Sequence, residues 1–466
     1  MAIVRPSARA LLGATLLLTG CAEAAAREVR PNVLLITVDA LRADQLGAYG
    51  DEAVDTPALD AFLAEALVFE EALAVTPITS PSLASLLTSR MPRNHGVLND
   101  GYELAAAQRT LALALDEAGY RTAAFLAQRV AAGPGFEGGF DVFDQPGAGE
   151  PEVPGEELVA RALAFAAERG STPGPWFVWI HLGEPGAPFA AGPGLEGKYL
   201  PQGAVVPEEL RRETCGERDQ LAPEDVELMR ALYRGEVERA DRCLAPLLAH
   251  VRAADANTLT VFTADHGEHF CDTLNYVGHA AWLFEPMLRV PLALQRSGGA
   301  LAPGVRHDTA TELDVAPTVL GLLGLPWESR DGGLDLLAAE APADRLIVHE
   351  AFAPQAFRDK IALRQGPWKI QEALGRSWTH AEAQADFRRV TNVELDPTET
   401  STDPLARPEE AGAAFVRLRA REAQWARAQA DPEAARRPEL DAALRARLQA
   451  LGYAEGSLPG AGPSDQ

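Results

Sequence analysis

The sequence predicts an α/β protein whose mostly parallel central sheet is flanked by helices, followed by a small antiparallel sheet and a helical tail. Three observations predict this. Apolar runs of strand length, "NVLLITV" (Asn32 to Val38), "WFVWIHL" (Trp176 to Leu182) and "TLTVFTAD" (Thr258 to Asp265), show no polar alternation, as parallel strands buried on both faces require. Helical-period segments alternate with them, the longest from Pro223 to Ala254. After about residue 345 the runs shorten ("RLIVHEAF", "DKIALRQGPWKIQ"), which suits an antiparallel subdomain. The chain has 466 residues, 47% hydrophobic and 23% charged, enough for one large α/β domain and an appendage.

Taken in order, residues 1–20 read as an export signal. Arg5 and Arg9 give a basic start, and "ALLGATLLLTG" is an apolar run too short to span a bilayer. It ends "LLTGC", which resembles the bacterial lipobox, with Cys21 as the lipidated N-terminus of the mature chain. The competing reading is an ordinary cleavable signal with an accidental cysteine. Residues 21–30 form a tether. In "TPALDAFLAEALVF", Thr56 is placed as a cap, Pro57 at the first helical position, and Leu59, Phe62, Leu63, Ala66 and Leu67 on one face. "PGAGEPEVPGEE" (146 to 157) and "GPGLEGKYLPQGAVVPEE" (192 to 209) are loops by their Pro and Gly content. The main domain is expected over residues 31–345 and the C-terminal subdomain over 346–455, with a charged helical tail from about Glu409 to Gly452 and disorder over 456–466.

A formal net charge of -25 excludes a nucleic-acid binder, which needs a basic surface to displace counterions. Cys215, Cys243 and Cys271 follow Cys21; Cys215 with Cys243 is a candidate disulfide, and no zinc-type spacing is present.

In parallel sheets, ligands bind beyond the carboxyl ends of strands. Three strands here end in Asp39, His181 and Asp265-His266. Asp39, Asp265 and His266 can take one divalent cation, or each can be a satisfied polar group at a strand end. Their mixed oxygen and nitrogen donors suit Mn²⁺ or Zn²⁺ better than the all-oxygen shell of Ca²⁺. Mn²⁺ is preferred, with Zn²⁺, Ca²⁺ and Mg²⁺ as the alternatives. In "TPITSPSLASLLTSR" (Thr76 to Arg90), Pro81 fits a first helical turn and Leu83, Leu86 and Leu87 its buried face. Thr79 and Ser80 then lie at a helix N-terminus, where free N–H groups favour an anion. A hydroxyl there is either an N-cap or a metal-activated nucleophile; spacing alone favours the cap.

The ordered set "PNVLLITVDALRADQLGAYG", "SPSLASLLTSRMPRNHGV", "TADHGEHF", "GHAAWLFEPMLRVPL", "LDVAPTVLGLLGLP", "NVELDPTETS" and "LRARLQALGY" resembles the sulfatase family of the alkaline-phosphatase-like superfamily, over roughly residues 31–453. The resemblance implies that fold. It puts Thr79 at the nucleophile position, where Thr gives no formylglycine, and adds Thr79 to Asp39, Asp265 and His266 around the metal. It also implies that Arg90 and His95 orient the nucleophile, and that His181 or His279 holds the transferring group or protonates the leaving oxygen. Leu83 stands where the family pattern has an arginine, Ala40 replaces the second Asp of a pair, and Gly186 replaces a histidine, leaving open space. His250, His269, His307, His349 and His380 receive no role. An unmodified Thr with one metal resembles the phosphoglycerol-transferase and phosphonate-hydrolase branches.

Three readings follow: a metal-dependent esterase acting through Thr79 on a phosphate ester or diester, a sulfate-ester hydrolase working without formylglycine, and a catalytically weak binding protein on the same fold. Each takes a small anionic ester as partner and meets the membrane only through the lipid anchor, in the bacterial cell envelope. Cys21→Ala is expected to shift the protein from the membrane to the soluble fraction. Retention in the membrane pellet would remove the lipobox reading.

Overall fold

Strand β1 (Asn32–Val38) lies in the middle of the main sheet of this computed structural model, with Val33 to Val38 all buried. The structure describes residues 30–400 apart from short segments, of which the longest are 212–220 and 375–387, and parts of 412–420. Cys21, the signal, Cys215, His380 and the tail beyond residue 420 lie outside the described residues.

After β1 come helix α1 (Pro57–Leu63), β2 (Leu67–Leu73), α2 (Thr79–Thr88), α3 (Pro92–His95) and α4 (Leu111–Glu117). Next are β3 (Arg121–Leu126), β4 (Val142–Asp144), α5 (Gly155–Ala167), β5 (Trp176–Leu182), α6 (Pro223–Arg252) and β6 (Thr258–Ala264). A hairpin of β7 (His269–Phe270) and β8 (Val277–Gly278) leads to α7 (Glu285–Leu288), β9 (Arg289–Arg296), β10 (Gly304–Arg306), β11 (Ala310–Thr311) and α8 (Val315–Leu322). The last elements are β12 (Ile347–Ala351), β13 (Asp359–Gln365), β14 (Trp368–Leu374) and β15 (Arg388–Asn392).

The main sheet runs β10-β2-β9-β6-β1-β5-β3-β4, with β11 beside β2. Among the described pairings of this sheet, only those of β9, with β2 and β6, are antiparallel. The apolar strands β1, β5 and β6 are therefore the inner, doubly covered ones, as their lack of alternation requires. Phe62 of α1 meets Phe262 of β6 edge-on at 6.2 Å, and Phe140 stacks on Phe177 and Trp179 of β5. Thr37, the polar residue inside β1, is satisfied there: its hydroxyl accepts from Trp179 Nε1 at 3.0 Å. Pro57 does sit at the start of α1, but Thr56 donates to the Asp60 side chain instead of capping the helix.

The C-terminal sheet, β12-β13-β14-β15, is antiparallel throughout. It packs Ile361, Leu363 and Ile370 against Val75, Met91 and Leu313 of the main domain. Beside this apolar contact lies a buried charge network. Lys369 Nζ donates to Glu285 at 3.0 Å and to Glu399 at 2.9 Å, and Arg364 donates to Glu285 at 2.8 Å. Burial pushes the Glu285 carboxyl up, but Arg364 and Lys369 outweigh it and hold it down, at about 2. Removing Lys369 leaves Glu399 buried without its cation, while Glu285 keeps Arg364, at a cost of about 3–5 kcal/mol. Lys369→Ala is therefore expected to lower the melting temperature by several degrees. Lys369→Met combined with Glu399→Gln should recover part of the loss, because the second charge leaves with the first. Equal loss in the single and double variants would contradict this account.

Candidate active site

The register of the parallel strands creates the site. Val38 pairs with Leu182 on one side and with Ala264 on the other. The residues that follow, Asp39 and Asp265, therefore leave adjacent strands at the same level, about 5 Å apart. Both are buried. Asp39 Oδ2 accepts from Gln128 Nε2 at 2.9 Å, while Oδ1 is buried without a hydrogen bond. Asp265 Oδ1 accepts from the N–H groups of Ala40 (3.1 Å) and His266 (2.8 Å), while Oδ2 is buried without one. His266 Nδ1 faces the carbonyl of Gly267 at 2.9 Å. A carbonyl only accepts, so Nδ1 carries the proton and Nε2 presents a lone pair. That lone pair lies 3.7 Å from Asp39 Oδ1 and 3.4 Å from Asp265 Oδ2. One ligand atom from each of Asp39, Asp265 and His266 thus lies within 4.8 Å of the others. Two buried carboxylate oxygens without donors, converging with a ring nitrogen lone pair, suit a divalent cation. Burial first, and then their mutual repulsion, push the Asp39 carboxyl well above the usual range; burial also raises Asp265. A bound cation reverses that balance.

Thr79 opens α2 with its hydroxyl 3.1 Å from His266 Nε2. With Nδ1 protonated, the threonine donates. The hydroxyl is not an N-cap: Ile78 holds the cap position, and the side chain that meets the helix end is Asp100, which accepts from Ser80 N–H at 2.8 Å. This also corrects the expected anion site of free N–H groups. Ser80's is taken, Pro81 has none, and Ser82's closes the first helical bond onto Ile78.

The other expected residues divide. His181 is fully buried beside Asp265, its Nδ1 2.9 Å from Thr37 Oγ1 and its Nε2 without a partner. Burial lowers it to about 4, so it is neutral. His279 packs against His266 with its ring tilted by 35°, centroids 4.3 Å apart, with Glu268 3.5 Å from its Nδ1. His95 acts one step further back than expected. Its Nδ1 accepts from Val97 N–H, and its Nε2 meets Ser85 Oγ at 3.0 Å, six residues or ~9 Å along α2 from Thr79. It fixes the helix that carries Thr79. Arg90 reaches Asp331 at 3.6 Å and Gln108 at 3.4 Å. Leu83 lies in the apolar core. The open space expected at Gly186 does not exist: a Cβ there would sit 2.2 Å from Asp39 Oδ2 and 2.8 Å from the Gly183 carbonyl. Glycine is required at 186 because the Asp39 carboxylate occupies the room.

The order of these residues, and the fold that gathers them, agree with a match of residues 31–325 to the family model described as Sulfatase. The chain belongs to the sulfatase family. This sulfatase is similar to an ulvan-active sulfatase of Formosa agariphila, 26% identical over 371 residues that cover 73% of this chain and 69% of that protein. It is also similar to human arylsulfatase A, 27% identical over 407 residues, covering 76% and 77% of the two chains. The alkaline-phosphatase-like fold recurs in the solved phosphonate monoester hydrolase of Silicibacter pomeroyi, at a TM-score of 0.66 and 20% identity, over 85% of this chain and 95% of that one. The sulfatase is an ester hydrolase.

Sequence reasoning missed the supports. Gln128, which holds Asp39, follows the apolar run of β3, and a polar residue at that strand end was the available signal. Glu312 accepts from Val75 N–H at 3.0 Å and pairs with Ser82 Oγ at 2.7 Å, and Ser82 Oγ donates to the Asp265 carbonyl at 2.6 Å. Burial raises the Glu312 carboxyl well above its usual range. Nothing local marks Asp100. His269 and His349 bond to backbone carbonyls of Tyr276 and Ala74, in keeping with structural roles. Cys243 is a buried free thiol, and its proposed partner Cys215 lies outside the described residues.

Two substitutions test the metal reading. Asp265→Ala should strip the divalent ion from the purified sulfatase, measured by elemental analysis. Gly186→Ala should displace Asp39 and lower metal affinity by about tenfold or more. Wild-type metal content in Asp265→Ala would remove the assignment.

Proposed function

We propose that this sulfatase is a metal-dependent hydrolase or transferase of sulfate or phosphorus esters that works through unmodified Thr79. The observation that carries the reading is the Thr79 hydroxyl 3.1 Å from His266 Nε2, beside the two unpartnered carboxylate oxygens. Asp39, Asp265, His266 and Thr79 would hold the ion, Mn²⁺ by preference, whose chemistry is to lower the pKa of a bound hydroxyl and offset charge on the ester.

The rest is done by side chains. Thr79 Oγ releases its proton to solvent water and attacks phosphorus or sulfur; its bond to the central atom forms, and the bond to the leaving ester oxygen breaks. The leaving oxygen takes a proton from His279, which is partly exposed and has Glu268 behind it. His181 stays a neutral hydrogen-bonding group toward the transferring oxygens. Water then releases the group from Thr79, or an acceptor alcohol does so in a transferase.

Charge narrows the substrate. No lysine or arginine pairs with Asp39 or Asp265 among the described residues, and Leu83 puts a core side chain where the family pattern has a cation. One divalent ion against two carboxylates leaves little to neutralise a dianion. The preferred transferring group carries a single negative charge, as in a sulfate monoester, a phosphodiester or a phosphonate monoester. A missing charged contact is worth about 1.5–3 kcal/mol, a tenfold preference or more over phosphate monoesters. The same proposal sets the protein at the cell envelope through Cys21, on the "LLTGC" pattern.

Intact mass after rapid quench should show a covalent adduct that Thr79→Ala abolishes, and monoanionic esters should turn over at least about tenfold faster than phosphate monoesters. Absence of any adduct or turnover across the ester panel, with metal bound, would favour the binding-protein reading instead.

A further inference from the structure

A recess lies between α6, the segment that follows β1, and β7. Arg42, Gln45, Arg230, Tyr233, Arg234 and Phe270 line it, and it is shallow and partly open to solvent. Three guanidinium groups share this small space in a chain with a net charge of -25.

Two of the three are balanced. Arg42 bonds Asp44 at 2.6 Å and Asp272 at 3.0 Å, and Arg230 bonds Asp272 at 2.8 Å with Glu227 at 3.8 Å. Burial works against the Asp272 carboxylate, but Arg42 and Arg230 hold it far below the usual range. Arg234 differs. It has no hydrogen bond or ion pair with any described residue, and its Nε is buried without an acceptor. The residue is half-buried, so water still reaches the outer nitrogens of its guanidinium, which are free to meet an anion. Arg234 sits on α6 next to Tyr233, and acidic residues are plentiful in this sequence, yet none of the described ones pairs with it.

We propose that this recess is an oxyanion site, with Arg234 as its main ligand and Gln45 and the outer edges of Arg42 and Arg230 as its walls. The guanidinium fork matches two oxygens of a phosphate or sulfate group. The aromatic faces of Tyr233 and Phe270, 5.0 Å apart at their centroids, close the apolar side. The recess is bonded to the reaction centre. Tyr233 donates its hydroxyl to the Ala40 carbonyl at 2.7 Å and accepts from Arg42 N–H at 3.0 Å, and Ala40 N–H holds Asp265. A phosphate or sulfate group reaches this site either as a free anion or as a second anionic group of the substrate.

The test compares wild type, Arg234→Gln and Arg234→Lys in the full chain with its metal. Calorimetric titration with inorganic sulfate and phosphate should show one more bound anion in wild type than in Arg234→Gln, or at least about tenfold weaker binding in the variant. Arg234→Lys should retain most of the binding, because it keeps the charge. In anion-free buffer the melting temperature of Arg234→Gln should equal that of wild type. Identical isotherms, or a lower melting temperature without anion, would overturn the proposal. Kinetics separate the two sources. A KM that rises about tenfold in Arg234→Gln only for esters with a remote second anionic group identifies a substrate subsite. Unchanged KM for all esters, with the isotherm altered, identifies a site for free anion.

Discussion

Two carboxylates, Asp39 and Asp265, are pressed together out of water because the strands that carry them are parallel neighbours in register. Neither can be ionised there without a cation or a set of donors. The neighbourhood supplies some donors: Gln128 to Asp39, and the Ala40 and His266 N–H groups to Asp265. It stops short of satisfying the second oxygen of each. The incomplete pairing is what makes the place a site. Ala40 shows the cost: it holds a left-handed backbone, φ 55°, which aims its N–H at Asp265.

Thr79 is held with equal firmness by other means. Every residue of α2 is buried, so the helix cannot shift without disturbing the core. Asp100 holds its start, and His95 holds Ser85 near its middle. Ser82 links the helix to the Asp265 carbonyl, and Glu312 completes that link from the 3-10 turn before α8. Thr79 and the carboxylates therefore belong to one rigid unit. Supports of this kind keep reacting groups within the tolerance that catalysis needs.

The C-terminal sheet contributes at a distance. Lys369 and Arg364 bind Glu285, which begins the short helix α7 leading into β9. The loop before α7 carries His279. Buried charges across this contact set one docking geometry, since any other would leave an ion unpaired. The position of His279 thus depends on the strands that follow as well as on the main sheet.

The amino-acid sequence by itself determined the inner strands β1, β5 and β6, the long helix α6 and the antiparallel sheet, because burial on both faces or helical period is written directly into residue order. It also determined that Asp39, His181, Asp265 and His266 share one edge, since strand ends converge wherever strands are parallel. Tertiary structure alone decided the rest. Gly186 reads in sequence as vacant room, but the Asp39 carboxylate fills it. Thr79 and Ser80 read as caps until Asp100, distant in pattern if not in chain, takes the N–H. Glu312, and Arg234 with no partner among the described residues, carry no local signal. Their partners, or lack of them, depend on which distant segments pack alongside, and that is fixed only when the whole chain has closed.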